Sequence, residues 1–379
     1  MQSVLCVFGT RPEAVKMAPV IEALRAEAFC AVRLLATAQH RELLDDVLRV
    51  LEMKPDFDLD VMTDNQRPAD VTAQCVTGID RVLREERPAL TLAQGDTTTV
   101  LATALASYYN RVPFGHVEAG LRTGDKFSPF PEEMNRRVAG VLADLHFAPT
   151  PAARDHLLGE GVTSGTIHVC GNTVVDAVQS IARRIAAGGA GEAALPPAVE
   201  ALLASIEKPV LVTAHRRESF GAPLREICGA LREIADADPR SGLIYPVHPN
   251  PQVCGPVREL LAGHPRIVLC DPVHYLQFVH LMQRCMLILT DSGGVQEEAP
   301  SLGKPLLVLR EKTERPEGVA AGVARLVGTD RRRIVAEALR LLGSPEERRR
   351  MVAAENPYGD GRAGPRIAAI LGDYLGADS

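Results

Sequence analysis

Short continuous apolar runs alternate along this chain with longer stretches in which apolar residues recur at helical spacing. Such runs are typical of strands buried on both faces of a parallel sheet, and the longer stretches predict the helices that cover it. The runs of the first half are residues 4–8, 32–36, 89–93, 113–117, 144–148 and 167–170. Those of the second half are residues 210–213, 242–247, 268–270, 286–289 and 306–309. The pattern predicts an α/β protein with two parallel sheets.

The same pattern predicts where the two sheets separate. A chain of 379 residues is long enough for two domains of ordinary size. We interpret Gly-Asn-Thr at 171–173 as the crossing, which gives Rossmann-like domains at residues 1–172 and 173–360. Residues 359–364 match Gly-x-Gly-x-x-Gly, but no strand precedes them, so a dinucleotide site is rejected. These glycines are expected to reroute the chain so that a last helix, residues 361–379, completes the first domain.

Composition narrows the class of protein. Hydrophobic residues at 46% and charged residues at 24% indicate a soluble globular protein, and the net charge of −6 argues against a general nucleic-acid binder. No apolar run has the length of a membrane span, and Met1 leads directly into the first strand, so neither a span nor a signal peptide is expected. The eight cysteines form no Cys-x-x-Cys pair, which favours buried thiols in a reducing cytoplasm over a zinc site.

The strongest local signal is the turn Thr-Asp-Ser-Gly-Gly at residues 290–294. A strand, a turn of small residues and a helix start form an anion site, because the first N–H groups of a helix are free and its dipole favours negative charge. Ser292 is predicted to cap this helix and to donate to a phosphate oxygen, while Gly293 and Gly294 leave the backbone open to a ligand. Glu298, one turn later, is placed to accept from sugar hydroxyls. The alternative is a well-capped helix without a ligand.

Charged residues follow several strands of the first half. Arg11 and Lys16 flank the first strand-to-helix junction, where α/β folds bind ligands, and two cations there suggest an anionic substrate. Asp96 and Glu118 follow two further strands, and Glu132 begins a helix. Each has a structural alternative as a surface charge or a helix cap. Three carboxylates in one cleft are stable only if one is protonated or cations neutralise them, and that arrangement suits proton transfer.

The remaining polar segments complete the prediction. Residues 123–131, rich in proline and aromatic residues, are predicted to form an ordered lid over a substrate. Residues 56–62 and 188–198 are predicted to be loops. In the second half, His215 and Arg315 also follow strands. The residues alone therefore predict a two-domain enzyme that performs acid–base chemistry on a phosphate-bearing substrate in an interdomain cleft.

Eight sequence blocks together indicate a family. They are Phe-Gly-Thr-Arg-Pro-Glu-Ala (8–14), Gly-Asp-Thr-Thr-Thr (95–99), His-Val-Glu-Ala-Gly-Leu-Arg-Thr-Gly (116–124), Pro-Glu-Glu (131–133), Gly-Asn-Thr (171–173), His-Arg-Arg-Glu (215–218), Asp-Ser-Gly-Gly-Val-Gln-Glu-Glu-Ala-Pro-Ser-Leu-Gly-Lys-Pro (291–305) and Thr-Glu-Arg-Pro-Glu (313–317). Through these blocks the chain resembles the non-hydrolysing UDP-N-acetylglucosamine 2-epimerases of bacteria, nearly from end to end.

The resemblance implies a fold and a reaction. The fold is two Rossmann-like domains in the glycosyltransferase-B arrangement, and the protein is a homodimer. The reaction interconverts UDP-GlcNAc and UDP-ManNAc by anti elimination of UDP to a 2-acetamidoglucal, followed by re-addition with the opposite configuration at C2. No metal or nicotinamide is expected, because no ligand cluster or dinucleotide fingerprint is found. The alternatives are a glycosyltransferase of the same fold and an inactive UDP-sugar sensor.

The resemblance also implies site residues. Around the sugar and diphosphate the matching positions are Arg11, Lys16, Asp96, Glu118, Glu132 and His215, and the last four are the candidate catalytic residues. For UDP they are Phe278 near the base, Ser292, Gly293 and Gly294 at phosphate, Glu298 at ribose, and Arg315. Some members bind a second UDP-GlcNAc as an activator, and the matching positions are Gln39, Gln66, Arg216 and His248. The sequence departs from the family pattern at Glu42, Asn65 and Val273. Which carboxylate is base and which is acid stays open.

Overall fold

The computed structural model describes residues 2–38, 41–62, 66–188 and 193–376 of the chain. The chain divides into two compact units, Met1–Ala177 with Tyr358–Ser379, and Val178–Pro357. Each unit has its own parallel sheet covered by helices. None of the described helices is both long enough and apolar enough to cross a bilayer.

The first unit is built on a seven-stranded sheet in which all neighbouring strands are parallel. Its strands are β1 Gln2–Phe8, β2 Cys30–Ala36, β3 Phe57–Asp58, β4 Leu90–Gln94, β5 Phe114–Val117, β6 Leu145–Ala148 and β7 Ile167–Val169. Their order is β3-β2-β1-β4-β5-β6-β7. The order reverses between β1 and β4, and such a reversal is where open α/β sheets bind ligands.

Helices cover this sheet because each connection between parallel strands must cross back over its face. They are α1 Arg11–Arg25, α2 Arg41–Val50, α3 Pro68–Glu86, α4 Thr98–Asn110, α5 Glu132–Leu142 and α6 Pro151–Gly159, and α16 Ala363–Leu375 from the end of the chain joins them. Helix α7 Thr173–Ala186 begins in the first unit and ends in the second. Helices α3, α4 and α5 pack side by side, and α1 packs on α16. Buried apolar residues from the strands and from α3 and α4, including Val7, Ile79, Val100 and Phe114, form the core between them.

The glycines near the chain's end serve the packing of α16. Gly359 and Gly361 have φ of +128° and +79°, a region that side chains rarely adopt. A Cβ on Gly364 would lie 2.5 Å from the carbonyl oxygen of Pro19 in α1, so only glycine permits this approach. The Gly364 N–H also donates to the buried Asp176 at 2.9 Å. The Gly-x-Gly-x-x-Gly pattern at this position therefore reflects chain rerouting and helix packing.

The second unit repeats the plan with a six-stranded parallel sheet. Its strands are β8 Lys208–Thr213, β9 Ser241–Pro246, β10 Ile267–Cys270, β11 Leu287–Thr290, β12 Leu306–Val308 and β13 Arg325–Leu326. Their order, β10-β9-β8-β11-β12-β13, reverses between β8 and β11. The helices are α8 Pro197–Ser205, α9 Ala222–Ala237, α10 Pro251–Leu261, α11 Tyr275–Arg284, α12 Gly293–Ser301, α13 Pro316–Ala320, α14 Arg331–Gly343 and α15 Pro345–Ala353.

The structure differs from the sequence-based elements mainly at edges and caps. Residues 56–62, predicted to be a loop, contain the edge strand β3, which is held by backbone bonds such as Leu59 N–H to Ala36 O at 2.9 Å. Such a short strand has no pattern of its own and depends on the neighbouring strand. Helix α8 begins at Pro197, inside the predicted loop at 188–198, because proline suits the first helical position.

Candidate active site

Three of the sequence-predicted residues lie at the same edge of the first sheet. Arg11 is the first residue of α1 after β1, Asp96 follows β4, and Glu118 follows β5. Because β1, β4 and β5 are parallel neighbours, their carboxyl ends bring these loops side by side. Glu132 is the first residue of α5, which packs on α4.

Glu118 and Lys16 form an ion pair. Their Oε2 and Nζ atoms are 2.5 Å apart, and their side chains are only 8% and 14% exposed. Glu118 has a φ of +65°, which is uncommon for a residue with a side chain. The pair places a carboxylate and a cation at the ends of the central strands, where their mutual attraction offsets part of the cost of desolvating both charges.

Asp96 is held from α5. Arg136 donates to its carboxylate, and the amide of Asn135 donates to its backbone carbonyl at 2.9 Å. The helix N-cap position of α4 is Thr97, so Asp96 does not have the capping role that was its structural alternative. The sequence reasoning missed Arg136, which is 40 residues away along the chain and gives no local signal.

Glu133, next to the predicted Glu132, is fully buried and organises the predicted lid segment. Its carboxylate accepts from the backbone N–H groups of Thr123 and Gly124, at 3.1 and 3.3 Å, and from Arg136 at 3.3 Å. Glu132 is half-buried. Glu133 is therefore a structural residue, and Glu132 remains the candidate catalytic one. In the sequence both are equally plausible as acids at the start of a helix.

In the second unit, the buried Asp291 at the end of β11 fixes the loop that carries His215. One carboxylate oxygen accepts the backbone N–H groups of His215 and Arg216, both at 2.8 Å, and the hydroxyl of Ser219 at 3.3 Å. The other oxygen lies 3.6 Å from Nδ1 of His215. The signal that could have identified Asp291 is an acid directly at a strand end, before two glycines.

The His215 ring is held between its neighbours. It stacks on the ring of His248, with centroids 5.5 Å apart and planes 13° from parallel. Burial lowers the pKa of His215, the carboxylate of Asp291 acts in the opposite direction, and His248 and Arg216 add to the lowering. A neutral imidazole held at a fixed orientation can accept or share a proton near neutral pH.

Helix α12 begins at Gly293, as expected, but its start differs in detail from the prediction. Ser292 has the N-cap position, yet its side chain makes no capping bond, and its N–H donates to Thr290 Oγ1 at 3.0 Å. The prediction that Ser292 caps the helix is therefore wrong, and its hydroxyl is available for another acceptor. A Cβ on Gly293 would lie 3.3 Å from an Nη2 of Arg216, so a guanidinium group lies beside this helix start.

The other UDP candidates lie around α11, α12 and α13. Glu298 is largely buried and accepts from the hydroxyl of Tyr275 at 2.8 Å. Arg315, at the N-cap position of α13, donates to the buried Glu297. Phe278 is half-buried on α11. The beginning of α11 borders a cavity of about 440 Å³, whose lining includes Val247, Leu269, Cys270, Asp271, Val273 and Gln277.

The candidate activator residues are distributed over both units. Gln66 donates to the carbonyl of Val61 at 2.9 Å and to Gln74 at 3.0 Å. Arg216 and His248 lie beside His215 in the second unit. Gln39 lies outside the described residues. Within the described parts of the chain, no group of three or more histidine, cysteine, aspartate or glutamate residues is arranged to hold a metal ion.

Comparisons with known proteins agree with this architecture. The family model described as UDP-N-acetylglucosamine 2-epimerase matches residues 22–372. The Salmonella typhimurium strain LT2 protein named UDP-N-acetylglucosamine 2-epimerase is 50% identical over 98% of this chain and 98% of its own length. The predicted fold class, two Rossmann-like α/β domains of the glycosyltransferase-B type, is confirmed.

Two solved structures are similar over nearly their whole length. The UDP-GlcNAc 2-epimerase of Neisseria meningitidis, determined with bound UDP-GlcNAc, has 42% identity, a TM-score of 0.86, and coverage of 97% of this chain and 99% of that one. The S. aureus MnaA structure with UDP has 43% identity, a TM-score of 0.86, and coverage of 99% and 97%.

Proposed function

Since the chain belongs to the UDP-N-acetylglucosamine 2-epimerase family, we propose that it interconverts UDP-GlcNAc and UDP-ManNAc without hydrolysing them. The reaction inverts C2 of the sugar, so a proton must leave one face of the ring and return to the other. UDP departs from C1 first, and the intermediate is the 2-acetamidoglucal. UDP then adds back with the opposite configuration at C2.

The observation that carries this proposal is the pairing of carboxylates with cations at one edge of the first sheet. Lys16 is paired with Glu118, and Arg136 is paired with Asp96. Carboxylates are suited to move the C2 proton, and cations stabilise the negative charge that develops on the leaving diphosphate. Arg11, at the first position of α1, adds a third cation at this edge. A cluster of charges of this composition supports elimination and re-addition by electrostatic preorganisation.

We propose that the second unit binds the UDP portion of the same substrate. The start of α12 offers free N–H groups and the Ser292 hydroxyl to phosphate, with Arg216 beside it. Glu298 accepts from the ribose hydroxyls. The cavity at the start of α11, close in sequence to Phe278, accommodates the base. His215 assists at the diphosphate.

The epimerase is favoured over the glycosyltransferase alternative. The family model and the Salmonella and Neisseria relatives are all named as 2-epimerases. The test is incubation with UDP-GlcNAc alone, followed by proton NMR. An epimerase produces UDP-ManNAc with no acceptor and reaches a constant ratio of the two sugars. Release of free sugar and UDP, or no reaction until an acceptor is added, would contradict the proposal.

We further propose a homodimer formed through α4 and α5. Tyr108 and Tyr109 at the end of α4 are each 64% exposed, and Val141 at the end of α5 is 83% exposed. Because α4 and α5 follow neighbouring parallel strands and pack together, their C-terminal ends lie at the same side of the first unit. Large apolar side chains exposed together mark association surfaces. The proposed partner of this surface is a second copy of the chain, in line with the homodimer that the resemblance implies.

A reducing, cytoplasmic location is proposed from the thiols. All eight cysteines are thiols outside any disulfide, and six of them are buried. Burial raises the pKa of several of these thiols, to about 12 for Cys6, Cys170, Cys228 and Cys285. Buried protonated thiols of this kind act as small apolar residues in proteins from reducing compartments.

A further inference from the structure

Glu13 is a buried carboxylate that joins two active-site loops. It is 2% exposed and lies in the first turn of α1. One oxygen accepts from the N–H groups of Gly9 and Thr10, at 2.9 and 2.7 Å, and from the Thr10 hydroxyl at 2.9 Å. The other oxygen accepts from the hydroxyl of Thr97. The first three bonds are a capping arrangement for α1, whereas the fourth reaches the loop after β4.

The bond from Thr97 is not needed to cap either helix. Thr97 has the N-cap position of α4, but its side chain makes no capping bond to that helix. Its hydroxyl is donated to Glu13, 84 residues away in sequence. The bond therefore joins the loop after β4 to helix α1 and does not stabilise the start of α4.

The loop that donates this bond carries Asp96, and the side chains of His116 and Asn135 bind its backbone. His116 Nε2 is 2.7 Å from the carbonyl oxygen of Gly95, and Asn135 donates to the carbonyl of Asp96 at 2.9 Å. Three consecutive residues are therefore fixed by side chains from β5, α5 and α1. Of these three side chains, only that of Glu13 connects the loop to the β1–α1 junction.

We propose that Glu13 is a positioning residue for the epimerisation reaction. It holds the Asp96 loop against the junction that carries Arg11 and Lys16, so that the carboxylate for the C2 proton and the cations for the diphosphate keep a fixed separation. The inference rests on the proposed role of Asp96. Displacement of a catalytic group by about 1 Å is enough to lower a rate about 100-fold, so a brace of this kind acts on turnover.

The mildest test is Thr97→Val, which replaces only the donating hydroxyl with a methyl group. We expect kcat to fall about 10- to 100-fold while KM for UDP-GlcNAc changes less than about threefold. Thr97→Ser, which keeps the hydroxyl, is the matched control and should stay within about threefold of the parent in both constants. Glu13→Gln provides a second variant, because an amide nitrogen cannot accept a hydrogen bond and one side of the bridge is lost. Melting temperatures of all variants identify any that fail to fold.

A double-mutant cycle with Asp96→Asn separates positioning from general destabilisation. If Glu13 acts through Asp96, Thr97→Val should have no further effect on kcat in the Asp96→Asn background. A full additional loss there, or a kcat of Thr97→Val equal to that of Thr97→Ser while Asp96→Asn is slow, would overturn the role of Glu13. Near-normal turnover of Asp96→Asn itself would instead remove Asp96 from the proposed mechanism, and the positioning role with it.

Discussion

Lys16 Nζ, on helix α1, lies 2.5 Å from Glu118 Oε2, in the loop that follows β5. The pair is largely buried, so each charge offsets part of the cost of burying the other. Glu118 also has the unusual φ of +65°. A charged residue of unusual backbone conformation, paired with a lysine of helix α1, is a costly arrangement for stability alone, and it fits a site that must hold charge ready for a substrate.

The first prediction concerns this pair. Lys16→Met should lower the free energy of unfolding by about 3 kcal/mol, because Glu118 loses the ion pair that offsets the cost of burying its charge. The double variant Lys16→Met/Glu118→Gln should recover most of that stability, since the carboxylate charge is removed together with the ammonium. Its activity should stay at least about 100-fold below that of the parent, because the cation for the diphosphate and the candidate catalytic carboxylate are both gone. Urea unfolding and initial rates measure the two effects separately. Recovery of activity together with stability would show that the pair is only structural.

The second prediction concerns UDP binding. Glu298→Ala should weaken UDP binding by about 1–3 kcal/mol, the scale of hydrogen bonds to a charged group. Tyr275→Phe is the matched control, because it removes the hydroxyl that donates to Glu298 and leaves the carboxylate in place. Its effect should be smaller. Calorimetric titration with UDP gives both affinities, and an unchanged affinity of Glu298→Ala would exclude this residue from the nucleotide site.

The strands and the strand-end candidates could be predicted from the sequence, because parallel strands buried on both faces leave continuous apolar runs. Arg11, Asp96 and Glu118 follow such runs directly, and the structure places them at one edge of the sheet. The sequence also contains a capping signal at the start of α1. Thr10 and Glu13 have the spacing of a capping box, which the structure contains.

The partners of these residues could not be predicted, because they depend on tertiary contacts. Arg136 reaches Asp96 across 40 residues, and Asp291 reaches His215 across 76. Neither separation leaves a periodic pattern. Adjacent acids were also indistinguishable: Glu133 is buried and Glu132 is half-buried only because α5 presents one face to α4 and the other away from it.

The third prediction is an acid-sensitive stability that depends on His116. Burial lowers the pKa of His116 from about 6.5 to about 4 in the folded protein. The unfolded chain therefore binds a proton that the folded chain does not between these values, and stability present above pH 6.5 falls as the pH drops towards 4. At about 1.4 kcal/mol per pH unit, the loss due to this group approaches 3 kcal/mol.

His116→Gln removes that contribution and keeps a donor for the Gly95 carbonyl. The variant should lose less stability than the parent between pH 7 and pH 4, by up to about 3 kcal/mol. Burial also lowers the pKa of His146, His168 and His215, so the parent's total decline includes other histidines, and the difference between the two proteins isolates His116. Urea unfolding at several pH values provides the comparison. Parallel pH profiles would contradict the assignment.

The fourth prediction concerns association. Tyr109→Glu/Val141→Glu places two charges on the exposed apolar surface at the ends of α4 and α5, and desolvation of those charges should oppose a dimer contact. Light scattering with size-exclusion chromatography should shift from dimer towards monomer. Val352→Glu, at an apolar position of the second unit that is 44% exposed, is the matched control and should leave the mass unchanged. A dimer unaffected by the double variant would place the interface elsewhere.

The last prediction concerns the chemistry at C2. Direct removal of the C2 proton is unfavourable, because that C–H is weakly acidic in the intact sugar. Departure of UDP places positive charge on the ring and makes the proton far easier to remove. Cations near the diphosphate and carboxylates near C2 promote both events. Inversion requires either two groups that transfer protons, one on each face of the ring, or one such group and an intermediate that reorients in the site. The candidate groups are Asp96, Glu118 and Glu132.

In D₂O the product UDP-ManNAc should therefore carry deuterium at C2, which NMR detects directly. Asp96→Asn, Glu118→Gln and Glu132→Gln should each lower kcat by about 10²–10⁴, the range for loss of a positioned acid or base. A variant that lacks the base should leave the C2 proton of UDP-GlcNAc unexchanged with solvent deuterium. A variant that lacks only the acid that re-protonates C2 should release the 2-acetamidoglucal and UDP. Product formed without solvent deuterium would indicate hydride transfer or a shielded proton. Near-normal turnover in all three variants would assign the proton transfers to other residues, of which His215 is the nearest candidate in chemical type.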